Sequence, residues 1–168
     1  MMAKVAKTKD KGQFALIKLK VNTPEIFSFD QSTEWMESIL TELNAPLEEG
    51  DVLFTEEAPQ IHFKGEITKK QNVKYGDIVV VKGDFSAKFI TTDIQTGTPM
   101  MDRIDVEVRA CYIDEVIKKK YELEDEVTII VDDEEYDLFL YQSGKFDLYE
   151  VLREYAFINK NPYPVLGK

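Results

Sequence analysis

The sequence predicts an α+β fold, with an antiparallel, partly curled β-sheet and two or more helices packed on one face or end of it. Several segments alternate apolar and polar residues, which is the period of a strand with one buried face. Two other segments repeat apolar residues at the spacing of one helix face. The order of the segments is strand, helix, several strands and helix, which favours α+β over a parallel α/β sheet.

The chain is long enough for one domain with a substantial core, because it has 168 residues, 43% hydrophobic and 11% aromatic. We predict a single α+β domain over residues 14–168. Residues 1–13 hold four lysines without the apolar segment of a signal peptide, and we predict a flexible basic tail there. No apolar run approaches the ~20 residues of a membrane helix. With a single cysteine and so no disulfide framework, the chain is expected to be cytoplasmic and to avoid membranes.

The N-terminal part of the domain predicts one strand and one helix. Residues 14–21 alternate, and the predicted inner face comprises Ala15, Ile17, Leu19 and Val21. Ser32 can cap a helix that continues to about Asn44. The apolar stripe of that helix comprises Trp35, Met36, Ile39, Leu40 and Leu43.

The middle of the chain contains the longest predicted strands. Residues 61–67 alternate cleanly, residues 77–90 form the longest candidate, and residues 103–112 return after a hairpin connection at 93–99. The second and third of these strands direct one apolar set inward, namely Val79, Val81, Phe85, Ala87, Phe89, Ile104, Val106, Val108, Ala110 and Tyr112. We expect an antiparallel hairpin with one face in solvent.

The C-terminal part predicts two short strands and a capped helix. The strands are residues 127–131 and 136–141, and a turn at 143–145 follows them. Asp147 can cap the helix, with Glu150 three residues later in a capping-box arrangement. Its predicted buried stripe comprises Leu148, Val151, Leu152 and Tyr155.

The usual signatures of metal sites and catalysis are missing from the sequence. Zinc sites need clustered Cys and His, whereas His62 and Cys111 lie about fifty positions apart. The acidic run 132–135 lacks the spaced ligands and the glycine of a calcium loop. No nucleophile elbow or glycine-rich phosphate loop occurs. We therefore predict no catalytic residue, no metal site and no cofactor, and a protein that is not an enzyme.

Charge limits the kind of partner that the domain can bind. The net charge is −11, and four lysines with Asp10 give residues 1–13 a charge of +3, so residues 14–168 carry −14. A domain this acidic repels phosphate backbones and attracts basic proteins. Direct binding of nucleic acid by the domain is therefore disfavoured, whereas the sequence leaves open whether the lysine tail contacts RNA.

One stretch concentrates the negative charge. Residues 122–137 hold no basic residue and nine acidic ones: Glu122, Glu124, Asp125, Glu126, Asp132, Asp133, Glu134, Glu135 and Asp137. Two interpretations stay open. The stretch is either a solvated loop that keeps the protein soluble, or a docking surface on which opposite charges guide a basic partner.

The chain from about residue 61 to residue 166 resembles the YceD family of bacterial proteins, the large ribosomal RNA subunit accumulation proteins. The resemblance rests on a turn at Gly76, a long strand with an internal glycine, a short loop, a return strand and an acidic region. It continues through a helix and a proline-containing exit, with the residues Gly83, Phe146, Asp147, Leu148, Glu154, Pro162 and Pro164. The family usually carries Cys-x-x-Cys after the long strand, where this chain has Thr92 and Gln95 around Asp93.

The resemblance implies a non-enzymatic factor for large-subunit ribosomal RNA accumulation and ribosome assembly, in a form without the cysteine pair. Combined with the charge, it predicts that the acidic stretch docks a basic ribosomal protein or another assembly factor. The alternative is an α+β domain that binds a small ligand or acts as an enzyme through a sheet-lined pocket. A large apolar cavity with converging polar groups would favour that alternative.

Overall fold

The computed structural model describes residues 12–51, 53 and 57–165 and confirms the α+β prediction. The predicted tail lies outside the described residues except for Gly12 and Gln13, which belong to the fold. The elements, in chain order, are β1 Gln13–Ala15, β2 Glu25–Asp30, α1 Glu34–Leu43, β3 Gln60–Asn72, β4 Gly76–Thr92, β5 Pro99–Asp114, α2 Glu115–Lys120, β6 Thr128–Val131, β7 Glu134–Tyr141, β8 Lys145–Asp147 and α3 Leu148–Ile158.

Six strands form one open sheet in the order β2-β3-β4-β5-β7-β6. All neighbours are antiparallel except β5 and β7, which are parallel because α2 and β6 carry the chain back before β7 begins. The predicted antiparallel sheet is therefore mostly, and not wholly, antiparallel. β1 and β8 pair separately as a small two-stranded sheet.

The sheet curls strongly without closing into a barrel. In a flat sheet, four steps of about 4.8 Å would separate β3 from β6. Nevertheless, Lys70 Nζ on β3 lies 2.9 Å from a carboxylate oxygen of Asp132 at the β6–β7 turn. The β6–β7 hairpin therefore folds back over one face of the sheet, which we call the outer face. The prediction of a partly curled sheet is confirmed.

Two glycines allow the central strands β3 and β4 to approach each other closely. Gly65 on β3 is opposite Gly83 on β4. A Cβ on Gly83 would lie 2.5 Å from the Lys64 carbonyl oxygen and 2.8 Å from the Phe63 ring. Real Cβ atoms do not approach backbone atoms this closely, so both positions require glycine. The Phe63 ring packs against the two glycines.

The inner face of the sheet carries the main core. All of the predicted inward residues of β4 and β5 lie in or against this cluster, with Val106 only partly buried. α1 and α3 cover the face, and the predicted apolar stripe of α1 is buried throughout. In α3, Leu148, Val151 and Leu152 are buried as predicted, whereas Tyr155 is half-buried.

A second, smaller apolar cluster lies on the outer face beneath the hairpin. It joins Ile78 and Val80 of β4 to Cys111 and Ile113 of β5, and the hairpin supplies Ile129, Val131 and Tyr136. The prediction that one face of the β4–β5 hairpin is in solvent is therefore wrong at this end. Both faces are apolar there because the curled sheet covers part of itself.

Several local predictions fail for identifiable reasons. Residues 14–21 do not form one strand, because a 3-10 turn at Leu16–Lys18 shifts the phase. As a result, Ile17 is 85% exposed while Phe14, Leu16 and Leu19 are buried. Ser32 does not cap α1, because its hydroxyl donates to Asp30 and Thr33 occupies the cap position. The Asp147 cap of α3 is confirmed, since its carboxylate accepts from the Glu150 N–H at 3.0 Å.

Candidate functional site

The acidic stretch 122–137 folds into the loop after α2 and the β6–β7 hairpin. The hairpin turn is Asp132-Asp133, with φ of 53° and 67°. A two-residue hairpin loop with both φ values positive favours Asn, Asp or Gly at both positions. Backbone geometry therefore accounts for two of the nine acidic residues, independently of any binding role.

Three of the nine predicted partner-binding residues make side-chain contacts with other elements of the protein. Asp132 forms the ion pair with Lys70, at 2.9 Å. Glu134 Oε1 lies 2.9 Å from Lys82 Nζ and 2.7 Å from Arg109 Nη2. Asp137 accepts a hydrogen bond from the Tyr155 hydroxyl on α3. Residues 122–137 include no basic residue, but the fold brings Lys70 of β3, Lys82 of β4 and Arg109 of β5 next to them.

Glu134 is the centre of a charged cluster that fixes the hairpin onto the sheet. Hydrogen bonds from Lys82, Arg109 and the Tyr136 hydroxyl lower the pKa of Glu134 from 4.5 to about 2. The Arg109 guanidinium carbon also lies 4.9 Å from the centroid of the Tyr136 ring. Because Lys82 and Arg109 are opposite each other on β4 and β5, both cations reach Glu134 from the outer face.

Tyr155 connects the hairpin to the inner layer. Its hydroxyl donates to Asp137 and accepts a 3.2 Å hydrogen bond from the Arg109 backbone N–H. Burial, together with the bond to Asp137, raises the pKa of Tyr155 well above its usual range. Asp137 is therefore a structural residue. No local sequence pattern indicates this contact, because it joins positions 18 apart across two layers.

The other six acidic residues form what we call the hairpin acidic surface: Glu122, Glu124, Asp125, Glu126, Asp133 and Glu135. All six are exposed, and in the described part of the chain no ion pair or side-chain hydrogen bond involves them. Two apolar side chains are exposed among them, Val127 at 76% and Ile130 at 67%. The site is therefore a charged surface that also offers apolar contact.

A small groove of about 250 Å³ lies within this surface, beside β6. Tyr75, Leu123 and Leu138 supply apolar walls, and Glu126 and Glu135 supply carboxylates. Its volume suits one or two side chains of a partner rather than a drug-sized ligand, which needs about 300–1,000 Å³. Sequence periodicity could not reveal the groove, because its walls come from three separate segments.

A larger open trough of about 640 Å³ lies between the β4–β5 connection and the C-terminal segment. Its most buried carboxylate, Asp93, accepts hydrogen bonds from the N–H groups of Gln95 and Thr96 in its own loop. Lys160 Nζ lies 5.7 Å from the Phe89 ring centroid and 5.8 Å from that of Phe157. These polar groups are engaged with the protein itself and do not converge on the space.

His62 and Cys111 lie far apart in the fold. Through their partners on β4, Ser86 and Val80, they are separated by six strand residues, or roughly 20 Å. His62 is exposed beside Ser28, whereas burial raises the pKa of Cys111 to about 12. No group of three or more Cys, His, Asp or Glu within the described residues could hold a metal ion. The absence of a metal stays a prediction.

No helix among the described residues has the length and apolar character needed to cross a membrane. No protein-family model, no curated protein and no solved structure matches this chain. The resemblance to the YceD family therefore rests on the residues quoted above alone.

Proposed function

We propose that this protein is a non-enzymatic factor that supports large-subunit ribosomal RNA accumulation and ribosome assembly by docking a basic protein on its hairpin acidic surface. The ribosomal setting comes from the resemblance to the YceD family. The observation that carries the docking role is the set of six exposed acidic residues without an ion pair in the described part of the chain. A basic ribosomal protein or another assembly factor is the partner class that fits this charge.

The charge distribution favours a protein partner over nucleic acid. Residues 14–168 carry −14, and this surface concentrates part of that charge within about fifteen residues. Its potential repels a phosphate backbone and speeds encounter with a basic protein. Exposed charges are screened beyond about 8 Å at physiological ionic strength, so the binding should weaken as salt rises.

The alternative function, a small-ligand or enzymatic domain, has weaker support. Such a domain would need a deep apolar cavity with converging polar groups. The inner face is instead filled by packed side chains, and the open trough has its polar groups engaged internally. Specific binding of a small metabolite would favour this alternative function.

The test separates the exposed acidic residues from those that hold the fold. Changing Asp132 or Glu134 would break ion pairs with Lys70, Lys82 and Arg109 and would confuse binding with stability. The neutralised variant therefore combines Glu124→Gln, Asp125→Asn, Glu126→Gln and Glu135→Gln. The matched control removes the same charge from exposed positions elsewhere, through Glu37→Gln, Glu48→Gln, Glu49→Gln and Asp77→Asn.

Each tagged protein is used to capture partners from a lysate at about 50 and 500 mM salt, which differ in screening length, and bound proteins and RNA are identified. We expect natural chain and control to retain basic proteins at low salt, and the neutralised variant to lose them. Equal capture by the neutralised variant, or capture of RNA without protein, would overturn the proposal.

A further inference from the structure

β6 ends the six-stranded sheet and has one open side. In the described part of the chain it pairs with β7 alone. Protein edge strands are commonly blocked by lysine, proline, a bulge or a covering segment. β6 has the sequence Thr-Ile-Ile-Val and carries none of the blocking residues.

The hydrogen-bond phase shows which backbone groups face the open side. Across a two-residue hairpin turn, the flanking residues Val131 and Glu134 exchange hydrogen bonds, and bonded pairs then alternate along the strands. The Leu138 N–H donates to the Val127 carbonyl at 2.9 Å, which fits this phase. The N–H and C=O groups of Thr128 and Ile130 therefore point away from β7.

The side chains beside this edge define what could add to it. Ile129 is buried in the outer-face cluster beside Leu123 and Leu138, whereas Ile130 points to the other face, is exposed and is opposite Glu135. A strand added to β6 would place alternate side chains on these two faces. An occupant with apolar residues on one face and cations on the other would match both.

We propose that the open edge of β6 binds an extended segment of the basic partner as an added strand. This inference rests on the proposed function and names how the partner is held. The segment makes main-chain hydrogen bonds to Thr128 and Ile130, its apolar residues pack beside Leu123 and Leu138, and its alternating Lys or Arg residues meet Glu126 and Glu135. The backbone supplies affinity, and the alternation supplies specificity.

The other edge strand of the sheet, β2, fits such a segment less well. It also exposes an isoleucine, Ile26, at 56%. Its Asp30 carboxylate already accepts two hydrogen bonds from Ser32, and a cation, Lys64, is opposite Ser28 on the neighbouring strand. Glu66 is opposite Ile26, but Lys82 is opposite Glu66 on β4, so a cationic strand meets cations beside the acidic residues at this edge.

Amide hydrogen exchange of the full chain tests strand addition directly. The probe is an acetylated decapeptide of alternating Lys and Val, with a Glu and Val decapeptide as its charge control. A bound strand shields both N–H groups, so exchange at Thr128 and Ile130 should slow by at least about fivefold at saturation, which corresponds to about 1 kcal/mol per new hydrogen bond. Ile129 and Val131, which already bond to β7, should change little, and the acidic peptide should not bind.

A variant separates the contribution of the β6 backbone edge from that of the acidic side chains. Ile130→Pro removes the outward N–H and leaves every acidic residue in place, at an edge position where proline is tolerated. Ile130→Thr is the matched control, because it keeps the N–H and a β-branched side chain. We expect the proline variant to bind the lysine peptide at least about tenfold more weakly than the threonine variant.

The outcomes distinguish this inference from the proposed function. Strand addition would be overturned if the peptide binds without slowing exchange at Thr128 and Ile130, or if a folded Ile130→Pro variant binds it equally well. Neither result would contradict docking on the hairpin acidic surface, which the capture experiment tests. Protection of these two amides in the protein without peptide would also overturn strand addition, because the edge would already be occupied. If Ile130→Pro does not fold, the exchange experiment on the natural chain decides.

Discussion

The two faces of the central sheet are built differently. The inner face carries a continuous apolar cluster that α1 and α3 cover, and its residues come from almost every element. The outer face carries a small cluster under the β6–β7 hairpin, and an ion-paired group around Glu134 holds that hairpin in place. Stability should therefore depend mainly on the inner face, and binding on the outer edge. The predictions below test this division.

The largest effect is expected at the centre of the inner face. Leu152 of α3 is fully buried. Leu152→Ala should lower the free energy of unfolding by roughly 2–5 kcal/mol, because it removes buried methyl groups and leaves a cavity. Ile130→Ala, on the exposed edge, should change it by less than about 0.5 kcal/mol. Urea denaturation of both variants checks the difference, and equal effects would show that stability does not depend mainly on the inner face.

A backbone effect should come next. Gly83→Ala would place a methyl group 2.5 Å from the Lys64 carbonyl oxygen. Because backbone must move to accept it, we expect a loss of about 1–3 kcal/mol in the free energy of unfolding. Ser86→Ala, on the same strand, serves as the control in urea denaturation. If Gly83→Ala is neutral, the close approach of β3 and β4 does not require glycine at this position.

A smaller loss is expected where the two faces are joined. Tyr155→Phe removes the hydroxyl that donates to Asp137. It should cost about 1–2 kcal/mol, because the Asp137 carboxylate loses a hydrogen-bond donor and the Arg109 backbone N–H loses an acceptor. Tyr149→Phe loses only a contact to Glu42 near the surface and should cost less. Hydrogen exchange should show the Tyr155→Phe loss mainly in β7, and an equal loss in both variants would contradict the joining role.

The smallest effect concerns pH. The pKa of Glu134 is lowered from 4.5 to about 2, so its stabilising contribution is complete above pH 4.5 and is lost as the pH falls toward 2. Between these values, the unfolding free energy of the natural chain should fall more steeply than that of Glu134→Gln. Urea denaturation across this pH range measures both slopes. Parallel curves would show that the cluster does not anchor the hairpin.

The same division explains how much of the fold could be predicted from sequence. The strands and helices of the inner face follow clean periods of 2 or 3.6, so the stripes of α1 and α3 and the inward residues of β4 and β5 were predictable. β2 was missed because Glu25–Asp30 is short and lies among turn residues. The strand at 14–21 failed because one 3-10 turn reverses the phase of the alternation.

The structure of the outer face could not be predicted, because it depends on contacts that no local sequence pattern indicates. The parallel pairing of β5 with β7 and the return of the hairpin to Lys70 join residues that are distant in sequence. The nine acidic residues were found from composition, but composition could not separate the six without an ion pair or side-chain hydrogen bond from Asp132, Glu134 and Asp137. Cys111 lies out of phase with the inward residues of its strand, and it is nevertheless a buried core residue because the curled sheet covers it.

The proposed function requires the hairpin acidic surface for large-subunit ribosomal RNA accumulation. The most direct measurement is the large-subunit ribosomal RNA level in a strain that lacks this protein. The natural chain, the neutralised variant and the matched control are each restored at equal abundance. We predict that the natural chain and the control restore the level and the neutralised variant does not. Full restoration by the neutralised variant would contradict the account and leave the surface with a solubilising role alone.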